Sequence, residues 1–573
     1  MLLRTGGVDR PPGTVPAPAP TCRFVTSVTR WLRSPVVVDP PAAFNVADLF
    51  EAAADRRGDD PALVAGEARL SYRDLDDLAA RWATVFAGLG VRPGDRVALM
   101  LGNSALHVAA LLGACKQRAV PLNVNQHYTV DELRPLLDDA DPAVVVCEDA
   151  VAPAVRAAAQ PDTGTAPGPD GTADRTPPIR TVGELAAQLA AAVPARRRTD
   201  RRGDDRYLLY TGGTTGRPKG VEWRQEDLYF AALGGGDRAG LAVTEPADVA
   251  GSLRERPTRT LVACPLMHGT AQWVTLGALV AGDTVVLWVD EAFDATALLD
   301  LAERESVGRV VLVGDAFAVP LADALDREPD RWQLDQLVVV ASGGAVLGTA
   351  TAQRLLAHLD GAVVVDGYGT SETGGQARRV LLPGVDSAAG FAPGPDTTLI
   401  GFDGLPVAHH DDRLGRIART GRLPLGYRND PERTAATFPV LDGVRWALTG
   451  DLGRWRPDGT IELVGRGGRT VNSGGEKVDA LEVEGVVRDH PAVADAMVVG
   501  VPDARFGEVV GVVVRLAPGA SLTTEQLTRH CRRALARFKV PRHVAMVTDL
   551  PRTATGKPDY RQAVRHLRTP TGP

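Results

Sequence analysis

The sequence predicts an α/β plus α+β protein: a large multi-layer N-terminal domain with mostly parallel sheets and a small β-barrel-like part, then a small α+β C-terminal domain. Three observations predict it. Strand-like and helix-periodic runs alternate from Phe44 onward, shorter strands separated by turns fill residues 389–460, and after Gly465 the pattern becomes compact α+β. At 573 residues the chain is also too long for one core.

Each element follows from its local pattern. Val46, Leu49, Phe50 and Ala53 share one helical face, with Asn45 or Asp48 near its start. Residues 70–72 open a second unit, and 72–89 keep the 3.6-residue period. Gly94 and Asp95 make a turn before a strand at 96–101, followed by an apolar helix at about 105–115 and a strand at 143–147. Residues 158–206 interrupt the pattern. Pro, Gly, Asp and Thr recur over 161–178, 196–206 is a mixed charge run, and 182–192 between them suits a short helix. The whole stretch is expected as a flexible, solvated excursion. Strands resume at 261–263, 284–289, 309–313, 337–341 and 362–365. In the last part, 496–501 and 509–515 read as strands and 524–538 as a helix. The expected division is 1–41 as a disordered or loosely attached extension, 42–465 as the large domain and 466–573 as the small one.

Composition excludes several functions. Apolar residues make up 44% and charged residues 24%, as in soluble globular proteins. A net charge of −7 gives general nucleic-acid binding no electrostatic support. Cys22, Cys115, Cys147, Cys264 and Cys531 are scattered without Cys-x-x-Cys or a histidine at metal spacing, so neither structural zinc nor a disulfide scaffold is expected. A reducing cytoplasm fits that usage. No apolar run reaches the length of a membrane span, and residues 1–41 lack the apolar core of a signal peptide.

Residues 207–221 are the most informative stretch. A strand-like run, Tyr207 to Tyr210, enters a loop of four glycines, three threonines and one lysine. Gly212, Gly213 and Gly216 let backbone N–H groups approach an anion, Thr211, Thr214 and Thr215 add hydroxyl donors, and Lys219 adds a mobile charge. This suits a polyphosphate. It is not the Walker pattern, because Pro218 precedes the lysine and Gly220 follows it. Gly/Thr-rich surface loops are frequent, so the loop alone leaves both readings open.

Five further patterns follow in order. Asp366-Gly-Tyr-Gly-Thr-Ser-Glu372 combines a tight turn at Gly367 and Gly369, a flat ring at Tyr368 and a hard-cation ligand at Glu372. Thr449-Gly-Asp451 offers a carboxylate for two ribose hydroxyls. Gly465-Arg466 and Ser473-Gly-Gly-Glu-Lys477 supply two cations around a glycine turn, and Pro551-Arg-Thr-Ala-Thr-Gly-Lys557 places a lysine near the C-terminus. Singly, each is more often an ordinary turn, loop or solvated lysine. Together they resemble the adenylate-forming superfamily of acyl-CoA synthetases, peptide-synthetase adenylation domains and beetle luciferase, over about residues 44–565. The wording at 118–125, 210–216, 265–269, 472–477 and 556–560 is most similar to bacterial fatty-acid and steroid-side-chain CoA ligases.

That resemblance implies two half-reactions with ATP, Mg²⁺ and coenzyme A. A carboxylic acid attacks the α-phosphorus to give acyl-AMP and pyrophosphate, and the CoA thiol then displaces AMP. It implies that the 211–220 loop closes on the β- and γ-phosphates, with Thr215 and Lys219 acting in catalysis. Glu372 binds Mg²⁺, and Ser371, beside Thr370, sits near the α-phosphate. Tyr368 flanks the adenine opposite the Ser342-Gly343-Gly344-Ala345 turn, within the Asp366–Gly369 segment. Asp451 holds the ribose, Arg466 and Lys477 contact ribose or phosphate, and Lys557 bridges the carboxylate and α-phosphate. Ser473, Gly474 and Gly475 shape the pantetheine channel once the small domain, hinged to the large one, swings. Gly468 lies in the connector, where many relatives carry Asp or Lys. His268 is a gate or acyl-pocket wall, or else a packed loop histidine; Trp273, Val313 and Phe317 are wall candidates or ordinary core. An acyl-AMP ligase serving a carrier protein and a non-catalytic nucleotide-binding relative remain alternatives, and a homodimer is left open.

Overall fold

A computed structural model describes residues 43–160, 176–211, 218–235, 243–251, 253, 255–290, 292–385, 390–466, 470–551 and 559–568. The opening helix is Val46–Arg57, and the Asn45 side chain caps it by accepting from the Ala47 N–H. Tyr72–Gly88 begins at a reciprocal Ser71/Asp74 capping box. Among the described residues no helix is long and apolar enough to cross a membrane.

Two large sheets organise the body. One runs Gly426–Tyr427, Lys219–Arg224, Arg206–Thr211, Val120–Asn123, Arg96–Met100, Val144–Cys147 and Ile179–Thr181. The other runs Ala392–Pro393, Gly374–Leu381, Val363–Thr370, Val339–Gly343, Arg309–Leu312, Arg259–Val262, Thr284–Leu287, Pro61–Ala65 and Ala68–Ser71. Both are parallel through their centres and antiparallel only toward their edges.

Alternation along the strands sets the layers. Val97, Leu99, Val144, Val146, Tyr207 and Leu209 face a central core, while Ala98, Met100, Val145, Cys147, Leu208 and Tyr210 face an outer one. In the second sheet Leu63, Val262, Val285 and Val311 face the same central core, and Val64, Leu261, Val286 and Val310 face a third. Successive side chains point to opposite faces, so strands buried on both sides read as continuous apolar runs. Helices fill the three cores, and the sheets lie between them. The short strands expected over 389–460 form a four-stranded antiparallel sheet, Thr397–Ile400, Gly415–Arg419, Ala447–Trp455 and Ile461–Arg466, whose small core holds Leu399, Ile417, Trp455 and Ile461.

The charge run at 196–206 departs from the solvated reading. Arg201 is buried, with its guanidinium forked onto Glu51 at 2.8 and 2.9 Å, and Lys116 also bonds Glu51 and, at 2.6 Å, Asp76. Arg118 grips buried Asp205 at 2.8 Å. The run thus pins the chain entering strand Arg206–Thr211 to the first helices. Residues 176–206 also contain strand Ile179–Thr181 and helix Val182–Ala191, the latter capped by a Thr181/Glu184 box.

The C-terminal part packs both faces of a five-stranded sheet. Val510, Val512 and Val514 meet helices Ala480–Arg488 and Thr524–Ala534, while Val509 and Val513 meet Ala545 and helix Tyr560–Arg568. The helix expected over 524–538 stops at Ala534, where Leu535 turns extended. A short 3₁₀ turn, Arg537–Lys539, follows, and Pro541 excludes helical continuation.

Candidate active site

Parallel strands end at the site, the usual place for ligands in open α/β sheets. Strand Val363–Thr370 delivers Asp366 to Thr370, and its neighbour Val339–Gly343 lies in register with Ser342 opposite Asp366 and Gly343 opposite Gly367. Gly344 adopts φ +84°, and a Cβ there would lie 3.3 Å from the Thr270 hydroxyl. Ser342 accepts from the Gly314 N–H at 3.1 Å, and a Cβ on Gly314 would lie 2.8 Å from Ala345 Cβ, so the turn carrying Ala345 closes against Gly314.

One side of the site is built around Asp451. The Tyr368 hydroxyl donates to Asp451 Oδ2 at 2.8 Å, and Thr449 donates to the same oxygen at 3.2 Å. Tyr368 packs on the small antiparallel core, so its ring is held from behind and fixed at its tip. Asp366 is buried; desolvation pushes its carboxyl up to about 6, although Arg379 opposes this through a 2.9 Å bond. Arg379, on strand Gly374–Leu381, also donates to Leu347 O at 2.6 Å and so holds the loop that follows strand Val339–Gly343.

A second side centres on Tyr427, which the sequence did not mark. Its hydroxyl donates to Glu372 Oε1 at 2.8 Å, and Lys219 Nζ stands 5.5 Å from its ring centroid. Lys219 pairs across the hairpin with Thr211. Trp223 donates its indole N–H to Ser371 O at 3.0 Å, and buried Arg419 bonds the carbonyls of Thr373 and Gly375. These contacts brace the Ser371–Glu372 turn from two sides. Among the described residues no group of three or more His, Cys, Asp or Glu could hold a metal ion. A lone Glu372 fits a cation that brings water and phosphate oxygens as its other ligands, which is the habit of Mg²⁺.

A third side is formed by the loop 264–268. Asn103 donates to Cys264 O (3.1 Å) and Trp288 O (2.8 Å) while accepting from the Leu266 N–H at 2.6 Å. Asn123 donates to Met267 O at 2.6 Å and Tyr210 O at 3.0 Å. Two asparagines therefore splint the loop that presents His268, itself the N-cap of helix Gly269–Val280. His268 Nε2 lies 3.1 Å from Glu476 Oε1 of the C-terminal part. Burial pulls the imidazole down, but the Glu476 carboxylate outweighs it and leaves the pKa above its ordinary value; His268 in turn holds Glu476 below the usual carboxylate range against burial. Gly474 and Gly475 adopt φ +61° and +95°, and a Cβ on Gly475 would lie 2.4 Å from Val313 Cγ1. Asn472 donates to Gly344 O at 3.4 Å. The Ser473–Glu476 turn thus sits directly on the large domain's site.

Other candidates are placed as follows. Lys477 pairs with Asn472 in the hairpin that carries the turn, and Ser473 is buried. Arg466 pairs through its backbone with Asp451. Gly212, Gly213, Thr214, Thr215, Gly216, Gly468 and Lys557 lie outside the described residues. Trp273 packs edge-on to Trp223 at 6.2 Å, and Phe317 packs against the central and third cores. Cys115, Cys147, Cys264 and Cys531 are buried free thiols pushed up to about 11 or about 12 by desolvation, which suits packing and not nucleophilic chemistry.

The sequence pattern of AMP-binding enzymes matches residues 50–415, and that of the AMP-binding enzyme C-terminal domain matches 482–557. The chain belongs to the AMP-binding enzyme family. Medium-chain acyl-CoA ligase Mig of Mycobacterium avium is 38% identical over 92% of this chain and 98% of its own length. The 3-oxocholest-4-en-26-oate–CoA ligase of Rhodococcus rhodochrous is 37% identical over 91% and 95%. The structure of amide bond synthetase McbA from Marinactinospora thermotolerans superposes with a TM-score of 0.72 at 26% identity, covering 90% of this chain and 99% of McbA. This AMP-binding enzyme is an acyl-CoA synthetase, an AMP-forming acid–thiol ligase that uses ATP and CoA.

Proposed function

We propose that the enzyme activates a medium- or long-chain fatty acid, or a steroid side-chain acid, as acyl-AMP and passes the acyl group to CoA at the site described above. The observation that carries this reading is the meeting of three parts at the strand ends: the Tyr368–Asp451 pair, the Lys219–Tyr427–Glu372 group, and the Ser473–Glu476 turn seated on His268. The acyl class follows the names of the two ligases. A bare carboxylate acylates poorly because its leaving group would be oxide; the mixed anhydride with AMP replaces it with a stable anion.

Each group has a task in this scheme. Tyr368 and the Ser342–Ala345 turn flank the adenine, with Asp366 and Gly367 to Thr370 lining it, and Asp451 orients the ribose. The loop 211–220, with Lys219, holds the β- and γ-phosphates, and Arg466 and Lys477 add charge near ribose and phosphate. Glu372 with Ser371 faces the α-phosphate, and Mg²⁺, when bound there, neutralises phosphate charge. Lys557 joins the carboxylate to the α-phosphate in the first step, which requires the small domain, beginning near residue 466, to pivot about the Gly468 connector. Ser473, Gly474 and Gly475 then line the pantetheine path. Free buried thiols suit a reducing, cytoplasmic compartment.

Pyrophosphate release and thioester formation across a panel of carboxylic acids, each with and without CoA, test the proposal. CoA-dependent thioester from fatty or steroid side-chain acids is expected. Adenylate without thioester indicates an acyl-AMP ligase, and no turnover with any acid indicates a nucleotide-binding relative without catalysis.

A further inference from the structure

Away from that site, the two domains meet at a buried charge. Lys539, in the 3₁₀ turn Arg537–Lys539, is 3% exposed. Its ammonium donates to Glu132 Oε1 at 2.5 Å and Glu482 Oε1 at 2.7 Å. It also stands 5.5 Å from the Tyr128 ring and 5.8 Å from that of Phe538. Glu482 belongs to the small domain's helix Ala480–Arg488, whereas Tyr128 and Glu132 belong to the large domain. Phe538 packs on the large domain's outer core.

Glu132 is set in place before docking. Its other oxygen, Oε2, accepts from the Thr129 N–H at 2.8 Å and the Thr129 hydroxyl at 3.0 Å, completing the capping box of helix Val130–Ala140. The cap fixes the carboxylate with Oε1 presented to the ammonium. An ion pair with one partner removed is costly if the other stays buried. Here separation strands neither charge. Glu132 keeps Thr129, and Lys539 keeps Glu482. That is the arrangement a contact needs if it forms and breaks in every cycle. The contact also neighbours the active-site pair, since Lys539 and His127 both act electrostatically on Glu476.

We propose that Glu132, Lys539 and Glu482 form a separable latch that holds the small domain with its Ser473–Glu476 turn on His268, making them positioning residues for thioester formation alone. The proposal rests on the two-step reading above. E132Q keeps the cap and the side-chain size while removing the charge, and K539R keeps a cation. The first measurement needs no substrate: the distance distribution between spin labels at exposed Asp330 and Arg529 is expected to broaden in E132Q and to stay narrow in K539R. The second compares half-reactions. In E132Q and K539M, acid-dependent pyrophosphate–ATP exchange is expected within about twofold of wild type, while thioester formation from preformed acyl-adenylate falls tenfold or more. K539R restores most of that loss, and E132Q/K539M is no worse than the poorer single variant. An unchanged distance distribution in E132Q overturns the latch, as does an equal loss in both half-reactions. A wild-type protein without exchange contradicts the two-step reading instead, and the distance measurement still decides the latch.

Discussion

Replacing Gly475 by alanine tests whether the docked turn serves thioester formation. The added Cβ would lie 2.4 Å from Val313 Cγ1, whereas ordinary contact begins near 3.4 Å, so the turn or the valine must give by about 1 Å. Overpacking of this size costs about 1–3 kcal/mol. A left-handed φ at a residue with a Cβ adds about 1–2 kcal/mol. That second cost belongs to the turn itself and is present in either domain pose; only the overlap depends on docking. At about 1.4 kcal/mol per tenfold, the docked population and the thioester step are expected to fall roughly 5- to 150-fold. Pyrophosphate–ATP exchange should change little. Val313→Ala removes the obstructing methyl, so G475A/V313A is expected to recover most of the transfer rate, measured from preformed acyl-adenylate against the V313A single variant. Equal loss in both half-reactions, or no recovery in the double variant, would refute the reasoning.

Tyr427→Phe removes one donor to Glu372 while leaving a ring beside Lys219; a hydrogen bond to a charged group is worth about 1.5–3 kcal/mol, so exchange should need roughly tenfold or more additional Mg²⁺, and an unchanged Mg²⁺ dependence would contradict this. Asp451→Ala should raise the KM for ATP about tenfold and erase any preference for ATP over 2′-deoxy-ATP, with the acid KM little altered; a retained preference would remove Asp451 from the ribose site. Glu482 is lifted by burial to about 7 from an ordinary 4.5, with Lys539 opposing the rise. The folded state therefore binds a proton more readily than the unfolded one, and stability is expected to decline as pH rises from about 4.5 to 7. Glu482→Gln should flatten that decline in thermal midpoint, and parallel curves would count against it.

The Asp366–Glu372 segment could be singled out because its residues are contiguous, and Asp451 because it stands in the short pattern Thr449-Gly-Asp451 within strand Ala447–Trp455. Tyr427, Trp223 and Arg419 were not legible, since nothing local marks them. Tyr427 reaches Glu372 across 55 residues and Trp223 reaches Ser371 across 148. The same cause hid Arg201 in a run that looks solvated, because its partner Glu51 lies 150 residues upstream. Glu132 and Lys539, 407 residues apart, meet only when two domains dock. The parallel strands were visible as apolar runs because both faces are buried. The helix at 524–538 was extended too far because periodicity continues beyond Ala534, while Leu535 and Pro541 determine its end.

Oxygen-isotope tracing tests the central chemistry most directly. With a carboxylic acid carrying ¹⁸O in both carboxyl oxygens, attack on the α-phosphorus should leave one ¹⁸O in the AMP released on transfer to CoA, and none in pyrophosphate. Unlabelled AMP, or label appearing in inorganic phosphate alongside ADP, would contradict activation through an acyl-adenylate.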